Sequence, residues 1–207
     1  YIAKAQADWN VPGISVAIVK DGKIVLSKGY GVLEQGKTQT VDEHSLFAIA
    51  SNTKAFISSS IGTLVDQGKI GWKDKVRDYL PYFELYDNYV SSEATIEDLL
   101  CHRLGLGTFS GDVIWYKSEK TAAEVIKHIK HVPQAYEFRA GYGYSNLMFI
   151  TAGEVIQSVT GKSWSTFVNE TFFLPLGMDE TITSTNDLSA NAATPHKPVG
   201  NINQPIP

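Results

Sequence analysis

The chain has 207 residues, 43% of them hydrophobic, enough to bury a sizeable core as one large domain or two small lobes. A formal net charge of -4 with no Lys/Arg cluster argues against a nucleic-acid binder, which normally shows a basic stripe. The single cysteine, Cys101, excludes an intrachain disulfide, and no run approaches the roughly 18 apolar residues of a membrane-spanning helix.

The chain starts at Tyr1 with no basic segment leading into an apolar one, so any export signal is expected to have been removed or omitted. Residues 13–32, GISVAIVKDGKIVLSKGYGV, hold two runs rich in β-branched residues joined at Asp21-Gly22, which predicts a tight hairpin with positive φ at the turn. A helix is expected over 51–67, ending near Gly68. Its first turn carries Ser51 and Lys54, three apart and therefore on one face, which sets a hydroxyl beside an amine. The run from Phe56 to Val65 has no charge before Asp66, so this helix is expected to be buried.

Further helices are expected over 96–102, with Thr95 as N-cap and Asp98 completing a capping box, over 121–131, over 147–160 ending at Gly161, and over a short stretch near 163–172. From 182 onward the sequence is polar and then Pro-rich, and no periodicity survives. One hairpin is too small a sheet to stand alone. Either the helices cover a very small sheet or further strands lie outside this sequence.

Several local patterns carry little chemistry. GKS at 161–163 lacks the glycine that a phosphate loop needs five residues before Gly161, where Ile156 stands. Gly29 and Gly31 lead to Glu34 instead of a third glycine. His128 and His131 share a helix face but have no recognisable third ligand, so no metal is expected there. Asn169-Glu-Thr171 fits a glycosylation pattern that recurs by chance. Two Tyr-x-Asn triplets occur. Tyr86-Asp-Asn88 lies in a polar aromatic loop, whereas Tyr144-Ser-Asn146 follows RAGYG and opens an apolar helix, a placement suited to an active-site wall.

With Ser51-x-x-Lys54 followed by Tyr144-x-Asn146, the chain resembles the serine β-lactamase and penicillin-binding-protein superfamily, most of all its class C β-lactamase branch with esterase and D-peptidase relatives. The phrases VPGISVAIVKDGKIV, GKIGWKDKVRDYLP, TIEDLLCHRLGL, YSN and FFLPLGM agree in order along nearly the whole chain. The resemblance implies an α+β fold in which the N-terminal hairpin belongs to an antiparallel sheet beside a helical lobe. It divides a single domain over 1–207 into a hairpin part at 1–47, a mainly helical lobe at 48–181 and an irregular tail at 182–207. The third motif of the family, Lys-Thr-Gly or His-x-Gly on a late strand, is not in this sequence, so the domain is expected to be incomplete at its C-terminal end and to be partnered by a further segment of the same protein.

The resemblance also implies a serine hydrolase that forms an acyl-serine intermediate with an amide or ester carbonyl. Ser51 is the nucleophile, and Lys54 and Tyr144 are the acid-base groups. Asn146 orients Lys54 and binds the substrate amide. No cofactor or metal is expected. The substrate is a small molecule or peptide: a β-lactam in the first place, a D-amino-acid peptide or a simple ester as alternatives. A non-catalytic penicillin-recognising sensor is the alternative from another class. An exported location in a bacterium follows from the family alone.

Overall fold

Asp21 and Gly22 both take left-handed backbone angles, with φ of 50° and 71°, and this is what folds residues 13–31 back on themselves. The computed structural model describes residues 1–200 and 202–206. Ahead of the turn lie a short helix α1 (Ile2–Asp8) and strand β1 (Gly13–Lys20), and after it strand β2 (Lys23–Gly31), paired antiparallel from Gly13↔Gly31 to Lys20↔Lys23. Ile18 faces Leu26 while Val19 faces Ile24, so Val25 is an extra residue that bulges the ladder. Among the described residues this sheet has two strands, and Val19, Ile24 and Val25 are exposed on it.

The chain divides into two compact units, residues 1–50 with 178–207, and residues 51–177. In the first, the C-terminal segment returns to the N-terminal one through backbone bonds. Leu46 N–H donates to the Asn191 carbonyl and Ala193 N–H to that of Leu46, each at 2.8 Å, and Thr194 N–H donates to the Leu33 carbonyl at 2.9 Å. The expected irregular tail at 182–207 is corrected here: strands β3 (His196–Val199) and β4 (Ile202–Pro205) pair antiparallel as a separate sheet. Four residues each, with Pro198 and Pro205 among them, are too short and too poor in N–H donors to show a period-two pattern.

In the second unit α7 (Asn146–Thr160) is the central element, burying Leu147, Met148, Phe149, Thr151, Ala152, Val155 and Ile156. It packs against α2 (Thr53–Asp66), α5 (Ile96–Leu100), α6 (Ala122–His128) and α8 (Trp164–Val168), and α7 ends at Gly161, whose φ of 70° makes the left-handed C-cap. Ile61, Leu64, Ile96, Leu99, Ile126, Leu147 and Ile156 are fully buried among these helices. Helix α2 is less buried than its composition suggests. It hides only Ile57, Ser60, Ile61 and Leu64, and Lys54 is half-buried. Three short helices carry no readable period: α1, α3 (Val76–Tyr79) and α4 (Asn88–Glu93) each make at most two turns.

The capping box at α5 is present and extended. Asp98 accepts from Thr95 N–H at 3.0 Å, and Thr95 Oγ1 donates to it at 2.7 Å. The carboxylate also takes a fork of bonds from Arg139, at 3.0 Å from Nε and 2.6 Å from the terminal nitrogen. Burial pushes the Asp98 carboxyl up, but the Arg139 and Thr95 hydrogen bonds outweigh it and hold the group below its ordinary 3.8. The ion pair therefore contributes stability that is complete above about 3.8 and is lost as pH falls through the depressed folded value. Asp98→Asn is expected to lower unfolding stability by about 2 kcal/mol at neutral pH. Denaturant unfolding should show the gap to the unmodified protein narrowing as pH falls below about 3.8.

Candidate active site

Ala50 holds a left-handed φ of 45°, unusual for a residue with a side chain, and it leads into the 3-10 turn Ala50–Asn52 that opens onto α2. Ser51 sits in that turn and Lys54 one turn further on. Lys54 Nζ donates to Ser51 Oγ at 3.3 Å and to Asn146 Oδ1 at 2.7 Å, and the Tyr144 hydroxyl donates to Ser51 Oγ at 2.7 Å. The structure brings all four expected residues together. Lys54 Nζ also lies 4.6 Å from the centre of the Tyr144 ring and 5.2 Å from that of Phe149, within cation–π range of both.

The Tyr144 loop is held from three sides. Its own N–H donates to Thr108 Oγ1 at 3.3 Å, and its carbonyl accepts from Phe109 N–H at 2.8 Å. Gly143, immediately before it, lies against the Leu106 carbonyl so closely that a Cβ would overlap that oxygen, so only glycine lets the chain pass. His102 completes the bracket. Its carbonyl accepts from Gly143 N–H and its ring Nδ1 from Ser145 N–H, both at 3.0 Å, while the ring lies 4.6 Å from that of Tyr144 at a tilt of 32°.

Asn146 is the first residue of α7, and both ends of its amide have a partner: Oδ1 faces Lys54 and Nδ2 donates to Asp112 Oδ2 at 2.9 Å. The side chain thereby bridges Lys54 on α2 and the turn that carries Asp112. The other triplet does different work. Tyr86 is half-buried with its hydroxyl 3.4 Å from the Leu104 carbonyl, and Asn88 starts α4 behind the Asp87 N-cap. His128 Nδ1 bonds the Glu124 carbonyl at 2.7 Å, and among the described residues no three His, Cys, Asp or Glu side chains gather as a metal site would require.

Ser51 Oγ receives hydrogens from two donors. For its own proton to be removed, one of the two must first act as acceptor, either a Lys54 amine or a Tyr144 phenolate. Partial burial pushes the Tyr144 phenol up, but hydrogen bonding with Lys54 and Ser51 and the Lys54 charge pull it further down, leaving it below its ordinary 10.0. His102 and Asp112 were not singled out from the sequence as site residues. His102 lies in a phrase that carries the family resemblance, whereas no local pattern marks Asp112, because its partner Asn146 is a distant residue in sequence.

The family model described as Beta-lactamase matches residues 1–206. The chain is 34% identical over 192 residues to the protein "Unguisins hydrolase ungD'" of Aspergillus campestris, covering 88% of this chain and 35% of that protein. Among solved structures it is similar to a D-amino acid amidase from Ochrobactrum anthropi SV3 complexed with L-phenylalanine amide, with a TM-score of 0.80 and 27% identity, covering 97% of this chain and 58% of that one. It shares the fold of a class C beta-lactamase, with a TM-score of 0.79 at 21% identity, covering 99% of this chain and 54% of that one. The chain thus spans about a third of the length of the curated relatives it matches and about half of those solved chains.

Burial, and then the Lys54 charge, hold His102 below its ordinary 6.5, so it is neutral where its ring accepts from Ser145. Protonation must break that bond. Stability from this group is complete above about 6.5 and falls as pH is lowered from there through the depressed folded value. His102→Asn tolerates the left-handed φ of 58° at this position and removes the titration. Melting temperatures followed from pH 7.5 to 5 should fall more steeply for the unmodified protein than for this variant.

Proposed function

The chain belongs to the beta-lactamase family, and on that footing we propose that it carries the nucleophile of a serine hydrolase of class C β-lactamase type, acting on an amide or ester carbonyl through an acyl-serine intermediate. One observation carries this: Ser51 Oγ lies within hydrogen-bond reach of both Lys54 Nζ and the Tyr144 hydroxyl, two groups able to exchange its proton. Lys54 and Tyr144 together take the Ser51 proton as Oγ bonds to the carbonyl carbon, and Tyr144 returns a proton to the departing group. Water then attacks the acyl-serine by the reverse path. Asn146 orients Lys54 and accepts the substrate amide beside it. The Ser51 N–H, in the turn that leads into α2, offers one donor to the developing oxyanion.

The second oxyanion donor is assigned to a strand of the same protein that pairs with the N-terminal hairpin. Support comes from the exposed apolar residues of β1 and β2 and from the greater length of the solved relatives, of which this chain covers 54% and 58%. One missing donor costs roughly 3 to 4 kcal/mol of transition-state stabilisation in other serine hydrolases. Residues 1–207 expressed alone should therefore turn over at least about 100-fold more slowly than the full gene product. The substrate is placed first among β-lactams and next among D-amino-acid amides or peptides and esters. A panel of nitrocefin, a D-amino-acid amide, a D-Ala-D-Ala peptide and a short-chain nitrophenyl ester ranks them by kcat/KM.

The defining experiment maps the covalent adduct. After incubation of the full gene product with a penicillin or an activated phosphonate, mass spectrometry should place one label, on Ser51. A label on any other serine overturns the assignment. Tyr144→Phe should slow turnover by about two to four orders of magnitude, the usual worth of a positioned acid-base group, while Tyr86→Phe leaves it within about twofold.

A further inference from the structure

An asparagine side chain turned end for end has almost the same shape, so packing alone does not choose which end of Asn146 faces Lys54. Its neighbours choose. Asp112 Oδ2 accepts from Asn146 Nδ2 at 2.9 Å, and an ionised carboxylate offers only acceptors. The other oxygen, Oδ1, accepts from the Trp115 indole N–H at 3.0 Å, and an indole offers only a donor. The carboxylate is thus fixed between two donors, in the 3-10 turn Asp112–Ile114 that follows Gly111. Reversing Asn146 would set its oxygen against the Asp112 carboxylate and its NH2 against the hydrogens that Lys54 Nζ donates, two unfavourable contacts in place of two good ones.

We infer that Asp112 is a positioning residue for acyl transfer at Ser51, holding the amide oxygen of Asn146 against Lys54 through the chain Trp115–Asp112–Asn146 and so keeping the Lys54 amine beside Ser51 Oγ. The inference rests on the acyl-serine reading given above. It adds a carboxylate that touches neither nucleophile nor substrate, and it assigns Trp115 the task of orienting that carboxylate.

Asp112 also acts through its charge. The groups facing Tyr144 are Lys54 from α2, His102 from the turn after α5, Ser51, and Asp112 from its own turn. His102 is neutral, so Lys54 and Asp112 supply the opposing charges: Lys54 pulls the Tyr144 phenol down and Asp112 pushes it up. Removing the Asp112 charge therefore moves the Tyr144 titration to lower pH.

Asp112→Asn tests the arrangement. The new amide has one acceptor end between two donors, so one contact becomes donor against donor, or Asn146 reverses and turns its NH2 to Lys54. Adding Trp115→Phe removes the competing indole donor and frees the amide oxygen of residue 112 for Asn146. Asp112 is half-exposed, so the substitution leaves the helical core intact. In the full gene product, the rate of Ser51 acylation by a penicillin or activated ester, followed by intact mass, is expected to fall about 10- to 100-fold in D112N, the order set by hydrogen bonds to charged groups. In the double variant D112N/W115F most of the loss should return. The rising limb of the rate against pH should move to lower pH in both, because both lack the charge. Asp112→Glu keeps charge and acceptors, so its limb should stay in place. A D112N rate within about twofold of the unmodified protein, no recovery in the double variant, or an unmoved limb would overturn the inference. If the unmodified protein forms no Ser51 adduct, the acyl-serine reading itself falls. If it does and the D112N variant matches it, only the role of Asp112 falls.

Discussion

The bond between Lys54 Nζ and Asn146 Oδ1 is the contact on which the candidate site depends. It joins the first turn of α2 to the first residue of α7, two helices that pack along the same core. Apolar packing is non-directional and tolerates small shifts. A charge-assisted bond of 2.7 Å does not, because its strength falls steeply with misalignment. Once the two helix starts are fixed, Tyr144, two residues before Asn146, is brought to Ser51, three residues before Lys54.

The backbone around this contact is held in costly conformations by its surroundings. Ala50, His102, Phe109 and Arg139 all have left-handed φ values without being glycine. Each is a point where the chain turns to deliver a neighbour. Ala50 turns into Ser51, and Arg139 reaches the Asp98 carboxylate ahead of the Tyr144 loop. Phe109 gives its N–H to the Tyr144 carbonyl, and His102 holds the residues on either side of Tyr144. Strain of this kind persists where the rest of the structure over-determines the geometry.

The N-terminal unit poses a different problem. Its hairpin obeys local rules closely, from the Asp21-Gly22 turn to the bulge at Val25, yet it leaves Val19, Ile24 and Val25 in water. Two strands alone bury too little to be stable. The return of residues 191–194 against Leu33 and Leu46 anchors the base of this unit, and exposed hairpin side chains of this kind suit the pairing with further strands assigned above.

By itself the sequence determined what depends on neighbours a few residues apart. The hairpin, the capping box at Thr95, the C-cap at Gly161 and the facing of Ser51 and Lys54 follow from turn chemistry and helical period, and these interactions are complete within a single turn. The glycine-shaped loop ahead of an apolar helix set Tyr144 and Asn146 apart from Tyr86 and Asn88, and the family resemblance gave them their roles. Tertiary structure alone decided the rest. It made Asn146 a bridge between Lys54 and Asp112, set a neutral His102 under the Tyr144 loop, brought Asp112 and Trp115 behind the amide, and paired the Pro-rich strands β3 and β4. Each of these needs a partner supplied by a segment far along the chain, or, for β3 and β4, a pairing that short Pro-bearing strands do not announce. A hydrogen bond between distant segments leaves no period in the sequence, because its geometry is fixed by how the helices pack and not by the spacing of the residues that make it.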